Sequence, residues 1–130
     1  MKTKEDYIQY KLKRSAEVLS EAETLLENNF YEDTVSRLYY ASFYAISALL
    51  IYLDLNPKTH QGVKSLFHKE FIYTGKMDKK FSDFYSFLMA KGFEVDYQNF
   101  SYLDKEQKPF YITQTIELVN TVKQQLNLKL

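Results

Sequence analysis

Arg37, Tyr40, Tyr44 and Ser47 are the residues best placed to do chemistry in this chain. Their spacing follows the helical repeat, so on a helix they share one face. A guanidinium presents a planar fork of donors suited to a phosphate or a carboxylate. Tyrosine hydroxyls beside it can pack at an interface with their oxygens hydrogen-bonded, or donate to the same anion. Arginine is seldom fully buried without a partner. The seam therefore faces carboxylates, a subunit interface or a ligand groove. Asp33, one turn earlier, and Asp96, from a later loop, are the two carboxylates expected to pair with Arg37.

A second candidate group is His60, Lys64 and His68, spaced to lie along one face of a later helix. Two turns put the histidines roughly 12 Å apart, too far to chelate one metal. With Lys58 and Lys69 nearby they form either a small anion-binding edge or a solvated face. No carboxylate–histidine set has the spacing of a metal site in a bundle core. No glycine-rich phosphate loop is present. Neither a metal nor a cofactor is expected.

The whole chain narrows the classes further. Its 130 residues suit one domain with a real core. Three glycines and two prolines argue against an all-β fold. The absence of cysteine removes disulfides and thiol chemistry. A polar amino end without signal-peptide character points to the cytoplasm. Lysine plus arginine equals aspartate plus glutamate, so any nucleic-acid binding must rest on a local patch.

The elements that position these residues read as helices. Thr3 to Glu27 is amphipathic, with Ile8, Leu12, Ala16, Leu19, Ala22 and Leu26 inward and a stop at Asn28–Asn29. Thr34 to Leu53 is apolar on nearly every side and must be covered on nearly every side. Arg37 and its tyrosines and serines make a poor membrane span, so this is the central helix of a bundle. Asn56 with Pro57, or else Thr59, starts a third helix that carries Val63, Leu66 and Phe67 inward; Gly75 closes it. Asp78 caps a fourth, with the stripe Phe81, Phe84, Tyr85, Leu88 and Met89 and an end at Gly92. A loop follows from Phe93 to about Lys105. The last helix presents Ile112, Ile116, Val119, Val122 and Leu126, and starts either at an Asp104/Gln107 capping box or at Pro109. The expectation is an all-α, up-and-down bundle of four to five helices.

This order of signals resembles the HEPN domain (higher eukaryotes and prokaryotes nucleotide-binding). Ser36-Arg37-Leu38-Tyr39-Tyr40-Ala41-Ser42-Phe43-Tyr44 is similar to the second-helix pattern S-R-x-Y-Y-A-x-F-H of its small stand-alone prokaryotic branch. Pro57 to Val63 and Leu66 to Lys69 resemble its next helix, and Asp96-Tyr97 its "ADY" loop. The resemblance implies a homodimer formed through the arginine-bearing face, and in some members a partner nucleotidyltransferase. It also implies either metal-independent RNA cleavage by an arginine–histidine pair or non-catalytic binding of RNA, nucleotides or proteins. Here Tyr44 stands at the motif histidine, and Gly92 falls about where an arginine often precedes the loop. RNA cleavage needs a base and an acid. A tyrosine, with an ordinary pKa of about 10, is a poor base at neutral pH. The leading expectation is a binding protein that uses Arg37, Tyr40, Tyr44, Ser47, Asp96 and Tyr97, with His60, Lys64 and His68 as a second edge. The alternatives are a ribonuclease using Arg37 with Tyr44 or a displaced histidine, and a scaffolding dimer.

Overall fold

The computed structural model describes residues 2–93 and 108–129. They form five α-helices: α1 (Lys4–Glu27), α2 (Tyr31–Tyr52), α3 (His60–Phe67), α4 (Lys79–Gly92) and α5 (Lys108–Lys129). A π-helical turn, His68–Ile72, continues α3. No strand occurs among the described residues, and the fold is the expected all-α bundle. None of the described helices is long and apolar enough to cross a membrane.

α2 is the centre because its residues leave it no solvent face of any width. Twelve of its 22 residues are buried, and it packs against α1, α3, α4 and α5. Two of the hydroxyls caught inside are paired locally: Thr34 donates to the Phe30 carbonyl and Ser42 to that of Leu38. These local bonds remove the cost of burying a hydroxyl.

Asn29, at φ 66°, turns the chain from α1 into α2. The pairs Lys4–Asp54, Ser15–Ala41 and Glu21–Arg37 then run in opposite order along the two helices, which are therefore antiparallel. At the crossing Ser15 is fully buried and donates to the Ala41 carbonyl at 2.7 Å. That close approach shifts the inner face of α1. Ser15 and Val18 are buried, and Ala16, expected inside, is exposed. A similar correction applies to α5, where Thr115 and Leu118 are buried and Ile116 faces out. Thr115 tolerates the core because its hydroxyl bonds to the Tyr111 carbonyl.

Local caps set the remaining starts. Thr3 and Asp6 exchange hydrogen bonds in a capping box. Thr59, rather than Asn56, caps α3 and accepts the Gly62 N–H. Asp78 caps α4 as its sequence indicates, and all five residues of the expected stripe are buried. α5 begins with Pro109 in its first turn. Asp104 and Gln107, and the expected loop beyond Phe93, lie outside the described residues. Gly92 does more than end α4: a Cβ there would stand 2.7 Å from the Val35 carbonyl oxygen of α2. The two helix backbones meet at this point.

Candidate functional site

The antiparallel register of α1 and α2 decides what surrounds the arginine seam. Arg37 Nε lies 3.4 Å from Glu21 of α1, and both side chains are about half exposed. This replaces the expected pairing with Asp33, since the neighbouring helix brings a carboxylate opposite the guanidinium. The other expected partner, Asp96, and its neighbour Tyr97 lie outside the described residues. A solvent-exposed pair of this kind is worth at most about 1 kcal/mol. Arg37 can therefore exchange Glu21 for another anion. It also lines a shallow depression of about 370 Å³ with Ser20, Glu21, Thr24 and Leu25.

Two turns along α2, Tyr44 meets two cations that sequence reasoning did not assign to the site. Lys11 Nζ lies 5.4 Å and Arg14 Cζ 5.5 Å from the Tyr44 ring centre, within the range of cation–π attraction. Arg14 also hydrogen-bonds to Glu17 at 3.0 Å, and the proximity of Tyr44 and then of Glu17 raises its pKa. A signal was available, because the hairpin register that pairs Ser15 with Ala41 places Lys11 and Arg14 beside Tyr44. Tyr40 lies one turn from Tyr44 on α2, its ring 6.5 Å from that of Tyr44 and edge-on to His60 at 6.0 Å. Ser47 is nine-tenths buried at the inner end of the seam. Cations and half-buried tyrosines thus alternate along one surface.

The residue that organises the interior beside this seam is Tyr39, which lies off it. Tyr39 is fully buried. Its oxygen sits 2.6 Å from His60 Nδ1 and accepts a 3.4 Å hydrogen bond from Tyr85. Which of the two donates in the Tyr39–His60 bond follows the imidazole tautomer. The His60 ring stacks on Phe43 at 4.5 Å and on Phe93 at 4.1 Å. Burial lowers the pKa of His60. Burial, and then Tyr39, push that of Tyr85 far up. Both groups stay uncharged at neutral pH.

His60, Lys64 and His68 do not form the single face expected of them. His60 is drawn inward to α2. Eight residues on at about 100° each, His68 lies roughly 80° round the helix from His60, exposed with Nδ1 3.3 Å from the Ser82 hydroxyl of α4. Lys64 is half-buried between them. Among the described residues no three His, Asp or Glu side chains gather as a metal-holding group.

Comparison with known proteins agrees with this architecture. The model of the HEPN domain matches residues 8–125. The "UPF0332 protein" of Thermotoga maritima is 42% identical over 86 residues, which cover 66% of this chain and 65% of that protein. The chain thus spans a little under two thirds of that relative. The protein named "Putative toxin MJ0142" of Methanocaldococcus jannaschii is 30% identical over 115 residues, 88% of this chain and 78% of its own length. A second protein of that organism, named "Putative toxin MJ0605", is 42% identical over 72 residues, 55% of this chain and 54% of its own. The helical order, the arginine-bearing central helix and a match over nearly the full length lead to one conclusion: this chain belongs to the HEPN family.

Proposed function

We propose that this protein binds single-stranded RNA through the α1/α2 face, without cleaving it. The observation that carries the reading is Tyr44, which stands at the motif-histidine position with Lys11 and Arg14 drawn over it and the loosely paired Arg37 two turns away. Cations at this spacing suit successive phosphates, and tyrosine rings offer faces on which bases stack. A toxin-like role, as the names of the Methanocaldococcus relatives have it, fits an RNA ligand. The same face is proposed to pair two copies as a homodimer, with the partner nucleotidyltransferase implied by the resemblance acting on that assembly.

Cleavage has less support. Of the candidate bases, His60 has both ring faces covered and one nitrogen engaged by Tyr39. His68 lies against α4, away from the seam.

Fluorescence anisotropy with a labelled single-stranded RNA tests the reading. Arg37→Ala is expected to weaken binding about tenfold and to lower the salt slope by about 1. Its melting temperature should stay within about 2 °C of wild type, because the lost ion pair is exposed. Unchanged affinity and slope would overturn the assignment of the face. In a metal-free incubation with mixed RNA the wild type is expected to leave the pool intact; Arg37-dependent cleavage would make the protein a ribonuclease.

A further inference from the structure

Beyond the RNA face, we propose that a groove between the start of α1 and the end of α2 is a binding site for a small organic anion with an apolar or aromatic body. Its outer part, about 620 Å³, is lined by Lys4, Tyr7, Lys11, Ile51, Asp54, Leu55 and Asn56. An inner recess of about 80 Å³ shares Lys11, Ile51, Leu55 and Asn56 and continues to Phe43, Ser47 and Val63. The outer volume is that of a small-molecule site.

Two side chains give the groove its chemical preference. Lys11 is half-buried, and burial lowers its pKa. Its ammonium faces the Tyr44 ring, and no carboxylate lies within ion-pair distance of it among the described residues. A partly desolvated cation without a counter-ion gains from an anion that enters the groove. Ser47 is nine-tenths buried and opens into the recess. Its hydroxyl makes no hydrogen bond among the described residues, unlike those of Thr34 and Ser42 on the same helix. An anionic head seated between the Lys11 ammonium and the Ser47 hydroxyl satisfies both. The body then lies along Ile51, Leu55 and Tyr7. Asn56 supplies a further donor or acceptor at the junction. Lys4 and Asp54 of that lining are exposed and pair with each other at 3.3 Å, and Asp54 does not come within ion-pair distance of Lys11.

The head group is a carboxylate or a phosphate ester, and the test separates the two. Full-length protein is titrated with phenylacetate, phenyl phosphate and 2-phenylethanol, which share a body and differ in the head, and amide shifts are followed by NMR. At least one anion is expected to shift the amides around Lys11 and residues 51–56 saturably, with the alcohol at least tenfold weaker. Whichever anion binds more tightly identifies the head. Lys11→Met keeps the stem and removes the charge; it should bring the anions down to the level of the alcohol. Ser47→Val, which fills the recess, should weaken the anion at least fivefold while the protein stays folded. Equal binding of anion and alcohol, an unaltered Lys11→Met titration, or no shift in these segments would each overturn the proposal. Arg37→Ala is expected to lose RNA affinity and keep the phenyl-anion titration, so this site and the RNA face fail separately.

Discussion

Replacing Gly92 with alanine is expected to lower the melting temperature by about 10 °C, which corresponds to roughly 3 kcal/mol of lost stability in a chain of this size. The added Cβ would stand 2.7 Å from the Val35 carbonyl oxygen and 3.1 Å from the Ser36 Cα. Both are backbone atoms of the central helix, so no side chain can turn aside. Either α4 moves outward as a body or α2 bends, and each disturbs the packing of Leu88 and Met89. Gly75 provides the contrast. It sits at φ 79° with nothing within 4 Å of the place a Cβ would take. Gly75→Ala therefore carries only the backbone strain of a positive φ, about 1 kcal/mol. Thermal unfolding of the two variants side by side checks the pair; a smaller loss at Gly92 than at Gly75 would show that α2 and α4 are not held in contact there.

Tyr39→Ala is expected to cost more still, about 3–5 kcal/mol, the range for removing a large buried ring. The ring stacks on Tyr85 at 5.5 Å and on Phe93 at 5.3 Å, and its oxygen links Tyr85 to His60. Tyr39→Phe keeps the stacking and removes only the oxygen, which leaves Tyr85 and His60 short of a partner for about 1–3 kcal/mol. The same cluster gives stability a pH dependence whose sign follows from His60. Its folded pKa lies below the unfolded value of about 6.5. As pH falls through that value, the unfolded chain takes up a proton before the folded one does. The His60 contribution is therefore complete above about pH 6.5 and declines as pH falls toward the folded pKa. Denaturant unfolding from pH 8 to pH 5 checks this: His60→Gln should flatten that part of the profile, and an unchanged slope would remove His60 as its source.

The elements were legible where the signal is local. Thr3, Asp78 and Asn29 act through bonds or dihedrals within a few residues, and the α4 stripe alternates clearly with polar positions. α2 was legible as central, yet not in detail. A helix apolar all round offers no polarity contrast to say which of Tyr39, Tyr40 and Tyr44 turns inward. The seam therefore drew attention to Tyr40 and Tyr44, while Tyr39 became the hub. Arg37 has its partner sixteen residues away on another helix, beyond the reach of spacing rules within one helix. Gly92 shows in sequence as a stop and only in three dimensions as a point of contact.

The π-helical turn at His68–Ile72 holds one residue more than an α-helical path between the same ends. The local widening lets a helix with a residue gained at this point keep both Phe67 and Phe71 in the core. Relatives without the turn are expected to align with a single-residue gap at this point and an unbroken helix across it.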